Sequence, residues 1–345
     1  MNPMSSPAEP RLALVLGATG AFGSHAVAAL LKHGWRIRAL ARDPETARRK
    51  AGPAMPIEWV QGDALNRDSV VEAAQGAQLI VHAVNPPAYR NWKGTVLPMM
   101  EASIAAAEAS GARLLVPGSV YNFAPDAGAE LGEDAPQRPV TRKGRMRVEM
   151  EARLRAASEQ GVRVLILRAG DFFGAGGANS ALDWLVLRWG GGPRALFRPG
   201  PRDVSRAFAY LPDLAETAAR LLDRADDLAA YEVFHFRGET LTPAQLLAAL
   251  RRASGQPRLP AVPFPWPLVR LMGLWDETMR ELMEMRYLWR APITLSNAKL
   301  VAFLGEEPHT PLQVALHETL DELAAPAAAE RLGRSANAAV SAQGA

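Results

Sequence analysis

The sequence predicts an α/β protein: a doubly wound parallel sheet with a smaller, mostly helical C-terminal lobe. Three observations predict it. Up to Gly170, short apolar runs alternate with longer segments of helical period, the pattern of a sheet covered by helices on both faces. The first run feeds a glycine-rich turn that opens into a helix. After Gly170 the alternation stops, and glycine- and proline-rich stretches take over.

In order, the apolar runs are LALVLG, WRIRALAR, IEWVQGD, QLIVHAV, ARLLVPG and VRVLILRAG. Helices are expected near Ser24–His33, Arg67–Gln75, Gly94–Ser110 and Gly144–Gln160. Small residues across Ala105–Ala109 let the third of these sit close to the sheet. Beyond Gly170, GDFFGAGGANS and RWGGGPRALFRPGPRD read as loops, with one short helix, Ala181–Trp189, between them. AFAYLPDLAETAARLLDR reads as a strand turning into a helix, and YEVFHFRG as a strand. LTPAQLLAALRRASG reads as a helix capped by Thr242, with Pro243 at its first position.

From Pro263 to Trp289, Leu268, Leu271, Met272, Trp275, Met279, Leu282, Met283 and Arg286 recur at helical spacing. Core packing of the small lobe is the first reading of that stretch, and a homodimer seam the second. NAKLVAFLG and TPLQVALHETL follow it. The expected division is a dinucleotide-binding domain at 11–170, its sheet completed by parts of 204–238. Residues 171–203 and 239–322 would form the substrate lobe, with flexible tails at 1–10 and 323–345.

The chain has 345 residues, 48% of them hydrophobic, enough to bury a large core in two lobes. Cysteine is absent, which excludes disulfides, a thiol nucleophile and thiolate metal ligands. Six histidines are scattered without ligand spacing, so no metal site is expected. The net charge of +3 is mixed in sign along the chain. Its densest basic run, TRKGRMR, is followed at once by Glu149 and Glu151, a poor footprint for nucleic acid. No apolar run approaches the ~20 residues of a membrane span. The first residues lack a basic region followed by an apolar core, so a cytoplasmic location is expected.

In GATGAFG, three glycines separated by two residues each follow a strand directly and precede a helix. Gly17 permits the tight turn, Gly20 lets a pyrophosphate approach the backbone, and Gly23 lets the helix pack against the sheet. Thr19, Ala21 and Phe22 complete the candidate binding turn, and the helix N-terminus offers N–H groups to the anion. Strand, triplet, helix and second strand come in the order of a Rossmann nucleotide site. The second strand ends in Arg42, with Asp43 next and Arg38 within the strand. A guanidinium pairs with a 2′-phosphate, which favours NADP, while Asp43 keeps NAD open. Asp63 is placed to accept from the adenine amine and Ala64 to line the ring. Ala83, Val84, Asn85 and Pro117, at later strand ends, join the candidate cofactor set.

The chain resembles the extended branch of the short-chain dehydrogenase/reductase superfamily, especially its NAD(P)-dependent epimerase/dehydratase members. The residues carrying the resemblance are Gly17–Gly23, Gly62–Asp63, Val81–Val84, PGSVYNF at Pro117–Phe123, LRAGDFFG at Leu167–Gly174 and YLPDLAE at Tyr210–Glu216. It runs over roughly Arg11–Leu320. It implies a nicotinamide cofactor in the large lobe and a substrate closed over by the small one. It also implies a serine or threonine after the fifth strand and a tyrosine–lysine pair four residues apart on the next helix. The tyrosine exchanges the hydroxyl proton as hydride moves; the lysine lowers its pKa and holds the ribose.

The sequence departs from that pattern at the site itself. Lys143 stands where the tyrosine is expected and Arg147 where the lysine is expected; Pro117 takes the serine position, with Ser119 two residues on. Tyr89 lies four residues before Lys93 in a loop after the fourth strand, and Tyr121 just after the fifth. The candidate catalytic set is therefore Tyr121, Lys143, Tyr89, Ser119 and Arg147. Asn85, Asn122 and Arg142 are expected to add polar character to the pocket, and Asp171, Phe172 and Phe173 to form another wall. Arg145 and Arg153 read as a solvated helix face. The expected function is that of an NAD(P)-dependent oxidoreductase or epimerase/dehydratase-like enzyme with an atypical catalytic set. Its partner would be a small oxygenated substrate; a homodimer is left open. The alternative is a non-catalytic, NAD(P)-binding redox-sensing regulator.

Overall fold

A computed structural model describes residues 11–86, 92–174, 181–189 and 192–324. The chain begins β1 (Leu12–Leu16), α1 (Ala21–Lys32), β2 (Arg36–Ala41), α2 (Pro44–Ala51), β3 (Ile57–Gln61), α3 (Arg67–Ala73), β4 (Leu79–His82). It continues through α4 (Trp92–Ser110), β5 (Arg113–Ser119), β6 (Glu130–Leu131), α5 (Arg142–Glu159), β7 (Arg163–Ala169), β8 (Asp171–Phe173) and α6 (Ala181–Leu185). Next come β9 (Val186–Trp189), β10 (Gly192–Arg198), β11 (Arg206–Tyr210), α7 (Leu211–Asp223), β12 (Tyr231–His235), β13 (Glu239–Leu241) and α8 (Pro243–Ala253). The last elements are β14 (Ala261–Pro263), α9 (Trp266–Met272), α10 (Glu277–Glu284), β15 (Thr294–Leu295), α11 (Ala298–Leu304) and α12 (Leu312–Ala324).

Seven strands form one sheet in the order β12-β7-β5-β4-β1-β2-β3, and every neighbouring pair is parallel. All five residues of β1 are buried. Because side chains alternate across a strand, Ala13 and Val15 join the core under α1 and α7, with Val27, Leu30, Leu214 and Leu221. Leu12, Leu14 and Leu16 join the opposite core under α3, α4 and α5, with Val70, Met100 and Leu154. The chain order reverses on either side of β1, so a crevice opens beyond the carboxyl ends of β1 and β4.

Asp171–Phe173, read as loop, is the strand β8, parallel to β11, and three further departures from the sequence reading concern the chain beyond it. The helix at Ala181 stops at Leu185, and Val186–Trp189 is a strand. Gly192–Arg198, read as loop, is β10, antiparallel to β9 and parallel to β14. Pairing with strands on either side supplies the backbone hydrogen bonds that its glycine- and proline-rich flanks obscure, and buries Val186, Ala195 and Leu196.

The third concerns Pro263–Trp289. Asp276 caps α10 by accepting from the Met279 N–H at 2.9 Å, so the helix restarts and the spacing loses phase. Short α9 buries Trp266 and Val269, while Leu268, Leu271 and Trp275 are 53%, 53% and 78% exposed. Leu268, Leu271, Met272 and Trp275 are therefore surface residues and not core. One helix was not anticipated: α2 starts where Asp43 accepts from the Thr46 N–H at 3.1 Å, with Pro44 at its first position. Tyr89, the stretch 175–180 and nearly all of both expected tails lie outside the described residues. Among the described residues, no helix is long and apolar enough to cross a membrane.

Candidate active site

A cavity of about 340 Å³ opens at the crevice. Its sheet-side wall is Gly20–Phe22, His82–Pro86, Pro117–Tyr121, Lys143 and Arg147. The later part of the chain closes it with Asp171, Phe172, Arg206, Phe264, Trp266, Leu282, Met285, Leu288 and Trp289, among others. Eleven of the expected site residues thus meet on one cavity: Gly20, Ala21, Phe22, Ala83, Val84, Asn85, Pro117, Ser119, Tyr121, Lys143 and Arg147.

The three glycines have different physical causes. Gly17 has φ +86°, and a Cβ there would lie 2.6 Å from the Ala83 carbonyl oxygen. A Cβ on Gly23 would collide with the Gly17 backbone. Both glycines are demanded by the protein's own packing. Gly20 is less constrained: a Cβ there would lie 3.1 Å from the Gly17 carbonyl oxygen, a tight contact that a small shift relieves, and the residue lines the cavity. Gly20 also precedes α1 with no side-chain cap and no acidic residue in the first turn. Bare backbone at a helix N-terminus is what a pyrophosphate requires, so the turn fits a dinucleotide.

Arg42 and Asp63 follow β2 and β3 at the same carboxyl edge, outside the cavity itself. Asp43 is engaged as the α2 cap: Thr46 donates to it through both its hydroxyl and its amide, which hold the carboxyl below the usual range. Lys50 donates to the Thr19 carbonyl at 2.8 Å, bringing a cation to the glycine turn. Arg38 turns away, bonding Glu58 at 2.9 Å and the carbonyls of Ala73 and Gln75. Asp63 accepts from the Leu65 N–H at 3.0 Å, which shapes the turn that presents Ala64.

Thr141 starts α5, its Oγ1 accepting from the Gly144 N–H at 2.9 Å. Gly144 lets that first turn press on the Tyr121 carbonyl; a Cβ there would also meet Pro139 at 2.7 Å. Lys143 and Arg147, four residues apart, share one helix face, and both lie over the Trp92 ring, at 5.4 and 5.2 Å. Lys143 is buried, with Nζ 3.3 Å from Glu281 Oε2. Burial pushes its pKa down, and the Glu281 carboxylate opposes that fall. Arg142, expected in the pocket, is instead exposed and pairs with Glu281 and Glu284.

Asn122 also leaves the pocket. It is fully buried and donates to Gln137 at 3.0 Å and Glu151 at 2.8 Å. Glu151 in turn pairs with buried Arg168 at 2.5 Å. This network ties the turn after Tyr121 to the body of α5. Ser119 Oγ accepts from the Tyr121 N–H at 3.4 Å, holding the turn from its other side. Phe173, expected in the wall, packs against Tyr210 in the neighbouring core, because alternation along β8 sends Phe172 to the cavity and Phe173 away. Arg145 is exposed, and Arg153 pairs on the surface with Glu101 and Glu149.

Sequence reading missed His82, Trp92, Arg206 and Glu281. His82 is buried at the end of β4, and burial together with Arg147 lowers its pKa to about 3. Its position two residues before Val84 was a usable signal. Arg206 Nε donates to Asp171, and its guanidinium lies 4.0 Å over the Trp289 ring. Arg206 Nη1 is buried on that wall with no hydrogen-bond partner. Nothing local in the sequence pairs Arg206 with Asp171.

Comparison with known proteins places this geometry. A family model described as the NAD dependent epimerase/dehydratase family matches residues 13–235. A curated NmrA-like family domain-containing oxidoreductase of Aspergillus sp. (strain MF297-2) is 40% identical over 68 residues, which span 19% of this chain and 20% of that protein. Among solved structures, UDP-glucose 4-epimerase from Bifidobacterium longum, in complex with NAD+ and UDP, superposes with a TM-score of 0.69 at 13% identity. The match covers 90% of this chain and 98% of that one. The Bordetella bronchiseptica enzyme WbmH, in complex with NAD+, gives 0.66 at 16% identity over 91% and 98%. At these identities the solved structures show the fold, and the family match shows descent: the chain belongs to the NAD dependent epimerase/dehydratase family.

Proposed function

We propose that this protein is an NADP-linked oxidoreductase acting on a small oxygenated organic substrate. One observation carries the reading: the glycine turn and two proton-bearing side chains, Lys143 and Tyr121, face a single cavity. A bound nicotinamide would supply or accept the hydride. Gly20, Ala21 and Phe22 would hold the pyrophosphate, Arg42 and Lys50 the 2′-phosphate, and Asp63 and Ala64 the adenine end. Engagement of Asp43 by Thr46 supports NADP over NAD, because that carboxylate already serves α2. Ala83, Val84, Asn85 and Pro117 would border the nicotinamide half.

The substrate would lie between that half and the later wall. Phe264, Trp266, Leu282 and Met285 favour an apolar body, while the buried Arg206 guanidinium favours an oxygen at its far end. Proton transfer would fall to Lys143 or Tyr121, with Ser119 and Arg147 positioned on the same wall.

Nicotinamide absorbance, followed with NADPH or NADP and a panel of aldehydes, ketones and secondary alcohols, tests the reading. Turnover is expected with members carrying an apolar body. Lys143→Met or Tyr121→Phe should lower it at least about tenfold with cofactor affinity nearly intact. Cofactor binding with no turnover across the panel would support the redox-sensing regulator instead. Absence of cofactor binding would overturn both.

A further inference from the structure

We infer that Glu281, contributed by α10 more than a hundred residues after α5, is the carboxylate that holds Lys143 as a proton-bearing ammonium on the cavity wall. The inference rests on the oxidoreductase reading above and names how its acid–base group is assembled. Lys143 is 2% exposed and Glu281 6% exposed. An ammonium so placed is strongly disfavoured unless a carboxylate and further hydrogen bonds accompany it. Glu281 supplies both: Nζ lies 3.3 Å from its Oε2 and 3.4 Å from its backbone carbonyl oxygen. Arg142 takes the other carboxylate oxygen but is itself 63% exposed, so it explains a surface carboxylate and not a buried one. Among the described residues, Lys143 is the buried cation that Glu281 meets.

The groups facing Lys143 fix the sign of the effect. Glu281 and Glu284 on α10 favour the ammonium, and Arg142 disfavours it. Arg147, one turn along α5, adds a second cation over the same Trp92 ring. His82 is kept neutral by its burial. In the reducing direction, hydride from the reduced nicotinamide cofactor forms the new C–H bond at a carbonyl carbon, and the cofactor is oxidised. The π pair moves onto oxygen, the Lys143 Nζ–H bond breaks, and its proton goes to that oxygen. One proton taken up from solvent then restores the ammonium, while Glu281 stays a carboxylate throughout. Glu281 is accordingly a positioning residue acting through Lys143.

The chain has five lysines, so lysine-selective isotope labelling gives few signals, and Lys143→Arg identifies the one that matters. The NMR titration of Lys143 is measured in the full chain without cofactor, beside the pH profile of turnover. Glu281→Gln keeps a hydrogen-bonding group but removes the charge; it should lower the Lys143 midpoint and move the alkaline limb of reduction to lower pH. On the alkaline side of the wild-type profile, kcat should fall at least about tenfold with KM little changed. Arg142→Met removes the competing cation and should move the midpoint upward; general loosening would rehydrate the ammonium and also raise the midpoint, so the fall in Glu281→Gln is the direction that loosening does not produce. Glu281→Asp, checked by thermal unfolding, retains the charge and covers the case in which the glutamine variant does not fold.

An unmoved Lys143 midpoint in Glu281→Gln would overturn the inference. So would a moved midpoint with an unmoved turnover profile. Calorimetric titration with NADP judges the underlying reading separately: its failure would show as no binding, whatever the lysine does.

Discussion

His82 Nδ1 lies 2.8 Å from the Ser103 hydroxyl, which itself donates to the Met99 carbonyl 3.0 Å away. The hydroxyl proton is therefore committed, and the imidazole must donate from Nδ1, which leaves Nε2 as the lone-pair nitrogen. The ring is neutral in the fold, its pKa lowered by burial and Arg147 to about 3. His235 is lowered to about 3 as well, by burial and Arg168.

Both histidines make the fold acid-sensitive. Between a folded pKa near 3 and an unfolded value of 6.5, the unfolded chain binds more protons, so stability falls as pH falls through that window. At pH 5 the loss is about 2 kcal/mol per histidine. His82→Asn, which keeps a donor toward Ser103, should remove about half of the slope between pH 6.5 and pH 5 that the two histidines create. Denaturant unfolding at a series of pH values checks this. Equal slopes in wild type and variant would mean that His82 is hydrated or protonated in the fold.

Gly20 and Gly23 should fail in different ways. A side chain on Gly23 meets the Gly17 backbone, so Gly23→Ala is expected to lower thermal stability sharply, with or without ligand. Gly20→Val points its methyl groups at the cavity and should fold, while weakening NADP binding at least about tenfold. Thermal melts beside calorimetric titrations separate the two. Unchanged NADP affinity in folded Gly20→Val would remove the turn from the binding site.

Cofactor choice is expected to follow Arg42 and Lys50. Arg42→Ala or Lys50→Met should each weaken NADP about tenfold, roughly 1.4 kcal/mol for one exposed charge-assisted contact, and leave NAD nearly unchanged. The gap should shrink as salt is raised, since both side chains are exposed. Tighter binding of NAD than NADP by the wild type would contradict the assignment.

Trp275 and Leu288 lie in the same apolar stretch and should respond oppositely to truncation. Trp275 is 78% exposed, so Trp275→Ser should change unfolding stability by no more than about 0.5 kcal/mol. Leu288, 2% exposed, packs with Phe123, Met285 and Ile293, and Leu288→Ala should cost about 2–5 kcal/mol. A large loss for Trp275→Ser in denaturant unfolding would mean that the indole is covered in solution.

The elements that were legible are those with local causes. LALVLG is apolar on both faces because β1 is buried on both, and Gly17 is glycine because its φ is positive. The α2 start is equally local, in Asp43 and Pro44, but an aspartate after a second strand suits a ribose contact and a helix cap alike. At β10 the reverse holds. Glycine and proline argued for loop, and only pairing with β9 and β14 makes a strand there.

By itself the sequence determined the parallel sheet, the glycine turn and the presence of Lys143 and Arg147 four residues apart at the start of α5. Apolar period, backbone conformation and residue identity are all written in neighbouring positions. The tertiary structure decided which charged groups meet: Lys143 with Glu281, 138 residues apart, and Asp171 with Arg206, 35 apart. No periodicity links such positions. Their meeting depends on how the later helices and short sheets pack over the crevice, where burial makes an unpaired charge too unfavourable to persist and so gives each ion a specific partner.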